Sequence, residues 1–207
     1  MDVTDAPPAL TSPSDAPDAR RWEAAASVGW AFPLGNAERG ARLSDTTYGL
    51  VPIAADVAYR ATDVVGVGAW LRYGVGVPTL CQTSGECASS LGHDVAVALR
   101  ARFYLPRLGP LVSHADAGVG YEWFTARLSD GGATSTRSYA GPLLASVSLA
   151  SAFELSPRFT LGAVVDVALG TFTRSRLETP SFARDEGAKG AALHAWTSLG
   201  VELGARF

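Results

Sequence analysis

Residues 193–207 alternate without a break. Leu193, Ala195, Thr197, Leu199, Val201, Leu203, Ala205 and Phe207 make one set, and His194, Trp196, Ser198, Gly200, Glu202, Gly204 and Arg206 the other. Successive side chains of an extended chain leave opposite faces, so a period of two over this length dictates a long strand with a single apolar face. The period recurs in seven earlier segments, 21–33, 50–60, 64–77, 94–105, 111–124, 138–155 and 158–171. In the sixth of these, Leu143 falls in the apolar set with Ala145, Val147 and Leu149, and Tyr139 goes with them.

The connections alternate in length. Segments 34–49, 78–93, the stretch around Asp130-Gly131-Gly132 and 172–192 are long; 61–63, 106–110 and 156–157 are short. Short connections between such strands are hairpin turns, and an even number of strands brings both strand termini to the short-turn side. The expectation is all-β: one domain over 21–207, an eight-stranded antiparallel up-and-down transmembrane β-barrel. Residues 1–20, rich in Asp, Pro and Ala and without the apolar core of a leader, read as a disordered lead-in. Pro52 and Pro142 interrupt the donor pattern and are expected above the bilayer or at bulges.

Composition excludes several alternatives. A formal net charge of −3 offers nothing to a nucleic acid. No run of about 18 apolar residues is present to form a membrane helix. Cys81 and Cys87 lie in a polar loop with no further metal ligands beside them, so neither a metal site nor a cofactor is implied; a loop disulfide or two free thiols are the readings.

Three features set the apolar faces outward. Seven or so apolar side chains per strand overfill a barrel this narrow. The opposite faces are mostly Gly, Ala and Ser, suited to a crowded interior. The aromatics of the apolar faces gather at strand ends. Trp22, Tyr59, Phe103, Phe153, Phe159 and Phe207 fall at the short-turn end, and Trp30, Phe32, Tyr73, Tyr121, Trp123 and Tyr139 at the long-loop end. Two aromatic girdles around an aliphatic band match a bilayer and its interfaces.

With that rhythm and a terminal aromatic strand ending Val201-Glu202-Leu203-Gly204-Ala205-Arg206-Phe207, the chain resembles the small outer-membrane barrels of the OmpA/OmpX type over 21–207. The resemblance implies a monomer in the lipid of a bacterial outer membrane, with long loops extracellular, both termini and the 1–20 lead-in periplasmic, and the C-terminal strand recognised by the barrel-assembly machinery.

The inward set carries Glu23, Asp56, Asp94, Asp116, Glu122, Glu154, Asp166 and Glu202 with Arg60, Arg72, Arg100, Arg102 and Arg206, and with His114 and His194. Charges in a narrow lumen must be paired or hydrated. Folding the fourth segment onto the fifth about Leu108 sets Arg100 opposite Asp116 and Arg102 opposite His114. A charged, largely plugged lumen and a non-enzymatic structural or surface-binding protein follow. A narrow pore for small solutes or ions is the alternative, kept open by inward glycines such as Gly118 and Gly120. A lipid-modifying enzyme is the second, with His93 near Ser89, Ser90 and Asp94 as its only candidate centre. Loop arginines, Arg39, Arg42, Arg127, Arg137, Arg174, Arg176 and Arg184, suit anionic headgroups or a surface ligand.

Overall fold

The computed structural model describes residues 21–77, 91–130, 133–188 and 190–207. The lead-in 1–20 and both cysteines, Cys81 and Cys87, lie outside the described residues. In chain order the elements are β1 (Trp22–Glu38), β2 (Ala41–Arg42), α1 (Leu43–Thr46), β3 (Gly49–Arg60), β4 (Val65–Val77), β5 (Leu91–Tyr104), β6 (Leu111–Asp130), β7 (Ala133–Ser156), β8 (Phe159–Thr171), β9 (Arg174–Glu178), β10 (Ala183–Gly187) and β11 (Leu193–Arg206).

Eight of them form a closed antiparallel ring in the order β1, β3, β4, β5, β6, β7, β8, β11 and back to β1. The closing ladder runs from Glu23 opposite Arg206 to Gly35 opposite His194. Closure pairs every strand on both sides and leaves no sheet edge within the ring, the condition for a sheet to stand in hydrocarbon.

The short connections hold themselves. Thr62 Oγ1 accepts from the amides of Val64 and Val65, at 3.3 and 2.9 Å. Ser156 Oγ accepts from those of Arg158 and Phe159, at 3.3 and 3.2 Å. Such side-chain acceptors replace a backbone turn bond. Between β5 and β6, Gly109 at φ 62° turns the chain, a left-handed conformation that glycine adopts freely.

The long-loop side holds more strand than the alternation reveals. β1 continues to Glu38, β6 reaches Asp130 and β7 begins at Ala133. β9 adds to β7, and β10 to β9, so a sheet rises past the ring on one side. Above the apolar band neither face of a strand has to be hydrophobic, so the ladder continues where the period-two signal stops.

The faces divide as the alternation requires, with one reversal. Val28, Ile53, Val67, Leu99, Val147, Leu199 and Val201 are exposed on the outside, Leu99 by 73%. A soluble barrel would turn these inward; here they encircle the ring. The reversal is on β7. Its register against β8 shifts between Leu143 and Ala145, and against β6 between Gly118 and Gly120. Leu144 is one residue extra, and a bulge of one residue flips every side chain beyond it. Leu143 is therefore inside (1% exposed) and Leu144 outside (47%), and Tyr139 is buried inside, contrary to the expected girdle position.

The two prolines fall at such irregularities. Pro142 is beside the bulge, and at Pro52 the β1–β3 ladder breaks between Val28 opposite Ile53 and Ala31 opposite Leu50. Proline has no amide to donate there.

Candidate functional site

The interior is filled in layers. At the long-loop end lies an aromatic and aliphatic plug of Phe124, Tyr139, Phe172, Trp196, Leu43, Leu50 and Leu143. Tyr139 and Phe172 are 5.2 Å apart and Phe124 and Trp196 5.9 Å. Phe124 and Trp196 enter by strand parity, Tyr139 and Leu143 by the bulge. Leu43 comes from α1 and Phe172 from the residue after β8. Arg137 on β7 clasps buried Glu38 at the end of β1, at 2.7 Å, across the same end.

Beneath the plug is a dry polar cluster. Arg72 Nε donates to Asp94 at 2.8 Å, and its Nη2 lies 3.6 Å from Glu122. Trp196 Nε1 donates to Glu122 at 2.6 Å, and His194 Nε2 meets the other oxygen at 3.0 Å. Arg72, Asp94, Glu122 and His194 are each at most 1% exposed. A charge so buried needs a partner of opposite sign, and each finds one.

At mid-depth Trp70 carries the Arg100 guanidinium on its ring face, 3.9 Å from the centroid. Arg100 also donates to Ser146 and, at 2.6 Å, to Asp166. Below it Arg102 is the hub. It donates to both oxygens of Asp116, at 2.8 and 3.0 Å, and to Asp56 at 2.8 Å, and approaches Glu23 at 3.5 Å. At the short-turn end Arg206 joins Glu154 and Glu23, Tyr104 donates to Glu23, and Arg60 lies over the Tyr104 ring.

Two small cavities remain among these groups. One of about 30 Å³ is bounded by Asp56, Trp70, Arg100, Asp166, Ser198 and Glu202. The other, of about 50 Å³, lies between Glu202 and the Glu23–Arg60–Arg206 rim. Each has room for no more than a few waters. Glu202 borders both, is 6% exposed and makes no hydrogen bond or ion pair with the described residues.

All thirteen lumen charges expected from the alternation point inward, but their pairing differs. The β5–β6 register sets Arg102 opposite Asp116, Arg100 opposite Gly118 and Tyr104 opposite His114. The turn is centred on Gly109, not Leu108, which moves the register by two residues. Arg100 instead crosses the lumen to β8. Nor do the inward glycines hold the lumen open. A Cβ at Gly118 or Gly120 would strike the β5 carbonyls of Leu99 or Val97, so these glycines let neighbouring backbone close in.

His93 is on the outer face, its Nδ1 2.8 Å from the Tyr73 hydroxyl, while Asp94 points inward to Arg72. Neighbours on a strand face opposite ways, so the pair forms no catalytic dyad; Ser89 and Ser90 lie outside the described residues. Among the described residues no three His, Cys, Asp or Glu side chains are grouped to hold a metal.

Of the expected girdle, Trp22, Tyr59, Phe103, Phe153, Phe159 and Phe207 stand outside near the short turns. Trp30, Tyr73, Tyr121 and Trp123 stand outside near the long connections. Trp22 packs on Tyr59 at 5.2 Å and Tyr121 on Trp123 at 4.7 Å.

Three solved structures share this arrangement. Neisserial surface protein A aligns with a TM-score of 0.55 at 10% identity, over 90% of this chain and 97% of its own. A major outer membrane protein of Thermus thermophilus aligns at 0.55 and 14% identity, over 91% and 100%. Ail, the attachment invasion locus protein of Yersinia pestis, aligns at 0.52 and 15% identity, over 90% and 99%. The chain has the fold of the small outer-membrane β-barrels. No protein-family model and no curated protein matches its sequence.

Proposed function

We propose that the chain is a monomeric integral protein of a bacterial outer membrane, non-enzymatic, with a closed lumen and with any binding done at its outer surface. The apolar exterior between two levels of aromatics supports the membrane placement, as does the fold shared with outer-membrane proteins. Both ends of the barrel, Trp22 and Phe207, are hydrogen-bonded to each other at the short-turn end. That end is periplasmic in this reading, and the long connections face outward. The outward aromatic Phe207 at the end of β11 is the feature a barrel-assembly partner would grip.

The single observation that carries the closed lumen is the plug over the Arg72–Asp94–Glu122–His194 cluster. A solute would have to displace buried aromatics and then break ion pairs in low dielectric. The pore alternative has one feature in its favour, the two cavities that meet at Glu202.

Conductance of the folded protein in a planar bilayer separates them. Silence from protein shown to have inserted is the expected result. Discrete steps whose size changes on replacing Arg100 or Asp116 would replace the closed lumen with a charged conduit.

A further inference from the structure

The outside of β5, β6 and β7 is not evenly convex. An open apolar depression of about 840 Å³ lies there, its outward side chains including Ala55, Ala69, Leu99, Val119, Pro142 and Leu144. Ala55 and Ala69 leave space among longer neighbours, and the bulge at Leu144 raises one wall. Tyr121 forms the upper rim, in ring contact with Trp123.

The register fixes what stands above. Trp123 is opposite Ala140, and Ala140 opposite Arg174, so the indole and the guanidinium flank one alanine on the outer face. Two residues higher, about 7 Å along the strands, the outer row is Thr125, Ser138, Arg176 and Asp185. The row after it is Arg127, Thr136 and Glu178. Arg176 is held by Glu178 at 2.7 Å and by Asp185 at 3.6 Å. Arg127 and Arg174 are exposed and form no ion pair with the described residues. Around the rest of the mouth, β1, β4 and β11 carry Leu34, Val75 and Leu193 at the outward positions beyond their aromatics or at the strand end.

We propose that the outer face of β6, β7 and β9 holds one phosphorylated lipid of the outer leaflet, its chains in the depression and its phosphates on Arg127 and Arg174. The proposal rests on the membrane placement above. From below upward, the face presents hydrocarbon, then aromatic rings, then unpaired guanidiniums, the order of the parts of an anionic lipid. Guanidinium and phosphate match in charge and in forked geometry, and no comparable column stands on β1, β4 or β11.

The test is native mass spectrometry of the detergent-folded barrel with three probes: a diphosphorylated glucosamine lipid, its dephosphorylated form, and phosphatidylglycerol. One diphosphorylated lipid is retained per barrel, and removing its phosphates weakens retention about tenfold, the worth of one charge-assisted contact. Arg127→Gln with Arg174→Gln abolishes the preference for phosphate. Ala69→Phe fills the depression and weakens both glucosamine lipids alike; Val119→Trp serves the same purpose should that variant fail to fold. Equal retention of the phosphorylated and dephosphorylated lipids, or a preference surviving loss of both arginines, overturns the site. Phosphatidylglycerol held as tightly as the diphosphorylated lipid overturns its assignment to the outer leaflet. Insertion into vesicles is measured alongside. A barrel that does not insert fails the membrane placement, whereas one that inserts and retains no lipid fails this proposal alone.

Discussion

Phe172 lies flat on His194, the ring centroids 3.9 Å apart and the planes within 13° of parallel. The same imidazole meets Glu122 at 3.0 Å, so one ring joins the aromatic plug to the charged cluster beneath it. Phe172→Ala removes the stack and leaves a void under Tyr139. The expected loss is about 3–5 kcal/mol of stability, read as a lower urea midpoint for unfolding from vesicles. A midpoint unchanged from the parent would mean that the plug is not part of the folded core.

Arg102 is the interior residue whose loss leaves the most carboxylates exposed to one another. Asp116, Asp56 and Glu23 all turn to it. Arg102→Ala leaves them buried without their cation, at a cost of about 3–5 kcal/mol. Arg102→Lys restores the charge but not the fork that grips both Asp116 oxygens, so it recovers only part of the loss. Full recovery by lysine would show that charge alone matters there.

The register gives a sharper check. Double-mutant cycles are expected to return a coupling of about 1–3 kcal/mol for Arg102 with Asp116 and for Arg100 with Asp166. The coupling of Arg100 with Asp116 is expected to be smaller than either. A larger coupling for Arg100 with Asp116 would restore the register centred on Leu108 and refute the one seen in the β5–β6 ladder.

Most of the ring was legible because a lipid-facing strand must be apolar on one side along its whole length, and residues 193–207 state this without interruption. The same logic placed the lumen charges. It could not pair them, because a turn centred on Gly109 or on Leu108 leaves every residue on its face while changing its partner by two positions. It could not place Tyr139 either, because the extra residue Leu144 reverses the parity beyond it and leaves no mark in composition. Phe124 and Trp196 were within reach, since both lie on the inward parity of their strands. Phe172 and Leu43 were not, since they reach the plug from outside the strands.

Leu99 provides the most direct trial of the membrane placement. It is 73% exposed, on β5 between Phe103 near the short turns and Val95, which is opposite Tyr73. On a water-facing surface Leu99→Arg would be nearly neutral, because such a side chain has no cavity to leave and no partner to lose. At mid-height in a bilayer the same change brings a charge into hydrocarbon and is expected to cost about 2–4 kcal/mol. The penalty should fall to about 0–1 kcal/mol when the arginine is moved to Leu105, toward the short-turn interface. Reversible urea titration in thin vesicles measures both variants. A gradient between the two positions requires a hydrocarbon slab around the barrel; equal and negligible penalties would mean that its apolar exterior is covered by something other than lipid.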